Sequence, residues 1–315
     1  MDAYVKEDEN FSGRPVGEFS VFGYVFGKEM VMQVENKFFS AHKKFLLSSL
    51  GSLGMGKTFF DEVIINECNC LIAKIEKFND VPFDISDCMI KYSSNINFGI
   101  IFGKSIEDEN TIFKTVRSTA TPFFASIPEI DGYYTGNWYY LKKKIEPNTY
   151  NEMRKVKELL YECTKAIFRD RLNSEKQNGT KLDLLDYYVD AFKRDTTNTF
   201  TGFLKINILN NFSHYLEDAI IGNINIFLFD TSWMFFTHIV QLMSLNVDIQ
   251  HKVQNEIDDI IGKENEITNQ HKALLNYTQA VLAEIERFVC FVPLGIVRVN
   301  HNMSMFKHLV SVANI

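Results

Sequence analysis

Apolar positions along this chain recur mostly at helical spacing. In "FFDEVIINECNCLIAKIEKF" (59–78), Val63, Cys70, Leu71 and Ile75 fall near one face, the pattern of a half-buried helix. "YNEMRKVKELLYECTKAIFRDRL" (150–172) predicts a long amphipathic helix with its charges outward, and "KLDLLDYYVDAFKRD" (181–195) predicts another after the turn signal "NGT". "NNFSHYLEDAIIGNINIFLFDTSWMFFTHIVQLMSLN" (210–246) is apolar on nearly all sides and predicts one long central helix. "VDIQHKVQNEIDDIIG" (247–262) and "YTQAVLAEIERFVC" (277–290) complete the set. Six prolines and sixteen glycines in 315 residues leave few breaks, and no repeat or linker interrupts the pattern. We expect a mainly α fold with few short strands, a single domain over residues 1–315.

Composition narrows the function classes. A hydrophobic share of 46% supports a real core. The net charge of −7, with Lys and Arg spread along the chain, argues against a nucleic-acid partner. "MDAYVKEDENFSGRP" is acidic and has no apolar centre, so it does not read as a signal or transit peptide. Asp230 interrupts the most apolar window, "INIFLFDTSWMFF", short of the roughly 20 clean residues a bilayer span requires, so we expect any membrane contact to be peripheral. Five cysteines (Cys68, Cys70, Cys88, Cys163, Cys290) in a chain of this length read as reduced thiols.

Two motifs carry candidate chemistry. "GSLGMGKT" (51–58) satisfies G-x-x-x-x-G-K-[ST], in which Lys57 and Thr58 would serve phosphate and Mg²⁺, with "NIFLFD" (225–230) as a metal-binding strand. Its preceding residues, "FFSAHKKFLLSSL", are spaced as a helix, whereas a phosphate loop follows a buried strand, so a glycine-rich helix end and turn is the better reading. Glu284 and Arg287 stand one helical turn apart among Phe288, Val289, Phe291 and Val292. Those flanks predict a buried ion pair in need of further partners.

With that helix reached, the chain resembles the cytochrome P-450 family of haem-thiolate monooxygenases, most closely the microsomal animal type. "YTQAVLAEIERFVCFVPLGIVR" (277–298) looks like the family's helix K, with Glu284 and Arg287 as its E-x-x-R pair and Arg298 where a propionate-binding residue sits. "ENFSGRPV" (9–16) looks like the segment after helix B, "FSAHKKFLLSSLGSLGMGK" (39–57) like helix C and its exit, "PFDISDCMIKYSSNINFGIIFGK" (82–104) like helix E, and 247–262 like helix J. The resemblance then makes 210–246 the oxygen-activating helix I, with Asp230 and Thr231 as the acid and alcohol that relay protons.

It implies haem as cofactor, a lipophilic small-molecule substrate, a flavin reductase as electron donor, and the cytoplasmic face of the endoplasmic reticulum membrane. "FSVFGYVFGKEM" and "TPFFASIPEIDGYYTGNWYY" would line or cover an apolar pocket. There are departures. Phe227 and Leu228 occupy the small-residue positions of helix I, and Phe39 and Lys43 stand where W-x-x-x-R holds a haem propionate, leaving Lys43 as the cofactor-binding charge. The family's cysteine loop lies beyond helix K, and the sequence stops at Ile315 before any match to it. We therefore expect a fragment running from helix B to helix K, with no metal ligand of its own and impaired activity. The alternatives are a non-catalytic helical remnant of the family and, behind it, a phosphate-loop nucleotide hydrolase.

Overall fold

A computed structural model describes residues 13–14, 21–27, 29–56, 60–79, 81–103, 114, 141, 144–145, 147–174, 182–196, 212–228, 231–263, 265, 267–290, 298, 304–306 and 309–311. Helices dominate them. In chain order they are α1 (Val21–Phe26), α2 (Asn36–Ser52), α3 (Asp61–Glu76), α4 (Ser86–Phe102), α5 (Pro147–Asn173), α6 (Leu184–Thr196), α7 (Phe212–Leu228), α8 (Ser232–Leu245), α9 (Val247–Ile260) and α10 (Asn276–Val289). A short antiparallel ladder, β1 (Ser304–Phe306) with β2 (Leu309–Ser311), pairs Met305 with Val310. The mainly α expectation holds.

The main core gathers α1, α2, α4, α5, α6 and α7 around Met30, Phe98, Phe168, Leu185, Tyr188 and Ile220, all fully or almost fully buried. A smaller cluster of Met89, Ile90 and Trp233, with Leu71, Ile85 and Met234 against it, joins α3 and α4 to α8. α10 then packs on α8 and α9. Along α3 the inward stripe is Val63, Glu67, Leu71 and Ile75 at fourfold spacing, while Cys70 is exposed, which corrects its placement on the buried face. Burial of Glu67 is tolerated because Asn95 Nδ2 donates to its carboxylate at 2.9 Å.

Helix ends follow local chemistry. Proline opens α5, where a missing N–H costs nothing. At the end of α2, Gly54 takes φ +97°, its N–H reaches the Gly51 carbonyl (3.1 Å), and the Met55 N–H reaches that of Leu50 (2.8 Å). This pair of bonds is a Schellman closure. "GSLGMG" therefore finishes a helix, whereas a phosphate loop must open one, and the next helix waits until Asp61. Lys57 and Thr58 lie outside the described residues. Asp183 caps α6 by accepting from the Asp186 N–H (2.8 Å), and Arg171 bridges Asp183 (2.8 Å) and Asp186 (2.6 Å), pinning α5 to α6.

Two described helices cover the expected span of 210–246, and Phe229 and Asp230 between them lie outside the described residues. α7 stops at Leu228 and α8 starts at Ser232, with Thr231 at its N-terminal boundary. One carbonyl freed at the end of α7, that of Phe227, is taken by Asn97 Nδ2 at 3.2 Å. By length and composition, Leu216–Leu245 is apolar enough to cross a membrane, contrary to the sequence expectation, but 56% of its most apolar 18-residue stretch is buried inside the protein.

Candidate functional site

α10 carries the acid–base pair and is set by its neighbour. Glu256 of α9 accepts from the backbone N–H groups of Tyr277 (2.8 Å) and Thr278 (2.7 Å) and from the Thr278 hydroxyl (2.7 Å), satisfying donors that the first turn leaves open. Burial pushes the Glu256 carboxyl up, but the bonds from Thr278 and Tyr277 outweigh it and hold the group below its ordinary range. On α10, Arg287 grips Glu284 in a fork, Nε to Oε2 at 2.7 Å and a terminal nitrogen to Oε1 at 2.6 Å. The hydrogen bond from Arg287 lowers the Glu284 pKa and raises that of Arg287.

The predicted burial of this pair is not found: the side chains of Arg287 and Glu284 are 71% and 61% exposed. The stripe Val281, Ile285 and Val289 faces the core, which turns Glu284 and Arg287 to solvent together with Phe288. Two charges in water need no third partner, and each satisfies the other.

The remaining expected residues occupy other surfaces. Lys43 is exposed on α2 with Nζ 5.9 Å from the ring of Phe39, the residue four positions earlier, so its charge rests on a solvated helix face. Thr231 and Arg298 are exposed as well. Asp230 lies outside the described residues. Leu228 is fully buried in the main core and Phe227 packs against it, so the places where helix I would need small residues are filled.

Sequence reasoning missed a buried polar link between α2 and α7. Asn223 Oδ1 accepts from the Val31 N–H at 2.7 Å, and its amide nitrogen lies 3.3 Å from His42 Nδ1. His42 is completely buried, and desolvation lowers its pKa to about 4. An Asn in the middle of a strongly apolar helix was the available signal, since a buried amide has to find partners. At the preceding residue, a Cβ added at Gly222 would sit 2.3 Å from the Phe26 carbonyl, so this glycine permits a close approach between α1 and α7.

The sequence comparisons supply the family of this helical scaffold. The chain belongs to the cytochrome P450 family, whose model matches residues 2–311. It is 25% identical over 306 residues to cytochrome P450 2B9 of Mus musculus, covering 94% of this chain and 57% of that protein. Cytochrome P450 2B2 of Rattus norvegicus is 24% identical over 303 residues, and cytochrome P450 2C3 of Oryctolagus cuniculus 25% over 303, each with 57% of its length covered. The chain thus spans a little over half the length of these relatives.

Haem in this family takes a Cys thiolate as its axial ligand. The five thiols of this chain lie in unlike environments. Burial and the adjacent Glu67 push the Cys68 thiol up, and burial and Glu162 push that of Cys163 up. Cys88 is buried on α4. Cys70 is exposed on the outer face of α3, and exposed Cys290 closes α10 with its backbone N–H bonded to the Glu286 carbonyl.

Proposed function

We propose that this chain provides the central helical framework of a haem-dependent monooxygenase. The reaction would insert one oxygen atom of O₂ into a lipophilic small molecule, with electrons from a flavin reductase, at the cytoplasmic face of the endoplasmic reticulum membrane. The observation that supports this reading most is the family match across residues 2–311, joined to the Glu284–Arg287 fork on α10. In this reading the exposed fork is a docking point for further polypeptide, and the axial thiolate is supplied by a residue other than the five cysteines described above.

Asp230 and Thr231 are proposed as the proton-relaying acid and alcohol, and Lys43 and Arg298 as the cationic groups for the haem propionates. Residues 1–315 together would form one structural domain. A second reading, a non-catalytic family remnant, draws on the filled positions Phe227 and Leu228 and on the raised thiols of Cys68 and Cys163.

The reduced, carbon-monoxide-bound absorption spectrum tests these readings. The product of the complete coding sequence, expressed with haem supplied, is expected to give the red-shifted Soret band of thiolate ligation, and residues 1–315 alone are expected to give none. A thiolate band from residues 1–315 would overturn the assignment of the thiols. No haem uptake by the complete product would leave the non-catalytic reading.

A further inference from the structure

α4 packs on both α7 and α8. Its C-terminal half gives Phe98, Ile101 and Phe102 to the main core, and its N-terminal half gives Met89 and Ile90 to the smaller cluster with Trp233. Asn97 stands on α4 between these two sets and is half-buried. Asn is a poor residue for a helix interior, because its amide competes for backbone groups. Here the amide reaches out of its own helix, and Nδ2 donates to the Phe227 carbonyl at 3.2 Å.

In an unbroken α-helix the Phe227 carbonyl accepts from the Thr231 N–H, four residues on. Among the described residues that bond is not made. Thr231 sits at φ −97°, ψ −8°, in the sparsely allowed bridge region and away from the helical values of about −63° and −42°. Its own carbonyl takes the Met234 N–H at 3.2 Å, three residues on, so α8 opens with a tight turn of its own. A side chain from a third helix thus holds the acceptor that the chain needs to carry α7 through into α8.

We propose that Asn97 is a positioning residue: by occupying the Phe227 carbonyl it keeps α7 and α8 from joining and fixes where Thr231 stands. With an apolar side chain at position 97, the partly buried Phe227 carbonyl loses its donor. It recovers one by taking the Thr231 N–H, since a buried acceptor without a partner is costly. Thr231 then moves into helical geometry and its side chain turns about the helix axis. The consequence for oxygen chemistry rests on the monooxygenase reading above, in which Thr231 is the relay alcohol, whereas the effect on the backbone does not.

Asn97→Leu keeps the size of the side chain and removes the donor, and Asn97→Gln keeps a donor. In residues 1–315, hydrogen exchange of the Thr231 amide, read by NMR, is expected to slow by about tenfold or more in Asn97→Leu and to keep the unaltered rate in Asn97→Gln. An unchanged Thr231 rate in Asn97→Leu, or equal slowing in both variants, would overturn the proposal. Should circular dichroism show that Asn97→Leu is unfolded, the unaltered protein decides: a Thr231 amide exchanging about tenfold faster than those in the middle of α8 supports the proposal, and one equally protected overturns it. In the haem-loaded complete product, carbon-monoxide rebinding should change by about threefold or more in Asn97→Leu, because the shift moves Leu228 as well as Thr231, and return to the unaltered rate in Asn97→Gln. A slowed Thr231 amide with unchanged rebinding would overturn the link to oxygen chemistry. Failure of the unaltered complete product to take up haem would overturn the monooxygenase reading instead, and the exchange measurement would still decide the role of Asn97 in the backbone.

Discussion

His42 makes the stability of this fold depend on pH, with a sign and size that can be worked out. Asn223 has its orientation fixed, because its Oδ1 is committed to the Val31 N–H at 2.7 Å. The group it turns to His42 is therefore the NH₂, 3.3 Å from Nδ1. Nδ1 must act as an acceptor, which requires the neutral ring with its proton on Nε2. A protonated imidazole would set N–H against N–H inside a core where the ring has no exposure.

Desolvation lowers the His42 pKa from 6.5 to about 4. Above pH 6.5 the ring is neutral in both folded and unfolded chains and contributes nothing to the pH slope. Between about 6.5 and 4 the unfolded chain binds a proton that the folded chain refuses, so stability falls as pH falls. At about 1.4 kcal/mol per pH unit, the full loss is roughly 3 kcal/mol, a large part of the about 5–15 kcal/mol typical of a domain. Urea unfolding at several values of pH from 7 to 4 measures it. His42→Gln removes the titrating group and should flatten the curve by that amount, whatever its own cost at pH 7. Parallel curves for the two proteins would refute the assignment of a buried neutral imidazole.

Other perturbations test the packing and the exposed fork. Gly222→Ala must push the Phe26 carbonyl away from a Cβ placed 2.3 Å from it, so thermal unfolding should show about 1–3 kcal/mol of lost stability, typical of overpacking. Arg171→Ala would remove the cation held between Asp183 and Asp186, which are 3% and 6% exposed at the side chain; a loss of roughly 3–5 kcal/mol in denaturant unfolding is expected. Glu284→Gln, by contrast, should leave the melting temperature of residues 1–315 unchanged, since both partners are solvated, and a large drop would mean that the fork is buried after all.

The contrast between Arg171 and Arg287 shows what the sequence could and could not disclose. Both lie on amphipathic helices near acids, and apolar flanks were read as burial for the second. In the structure Phe288 is itself 68% exposed, so apolar neighbours along a helix did not report which way the charges face. Helix existence was legible where it rests on local periodicity: α5, α6, α9 and α10 begin and end within a few residues of their sequence spans, whereas the short α1 was not read as a helix. The glycine turn at 51–56 was legible for the same reason, its closure using bonds between near neighbours. What depended on tertiary partners was not. Glu67 joins the inward stripe only because Asn95 waits on α4, and His42 is tolerated in the core beside an amide from a helix 181 residues away.

The division of the central helix has the same origin and bears most directly on function. From Leu216 to Leu245 no proline occurs, and apolar residues predominate on both sides of the polar step Asp230–Thr231–Ser232. The two halves nevertheless answer to different cores. Ile220, Ile224 and Leu228 belong to the main cluster, whereas Trp233 and Met234 pack with Met89 and Ile90. Asn97, on the helix that serves both clusters, takes the Phe227 carbonyl at the junction. The interruption falls beside Thr231, the position to which the family resemblance gives the relay alcohol, yet it is reached with large side chains instead of small ones. A helix opened by small residues leaves room above a cofactor; one divided here has Leu228 filling that room from the inside. Under the proposed monooxygenase reading, oxygen chemistry turns on space at residues 227 and 228 more than on the identity of the alcohol: Leu228→Ala is then expected to change ligand access in the haem-loaded protein, read from carbon-monoxide rebinding, and Thr231→Ala to leave that access unchanged.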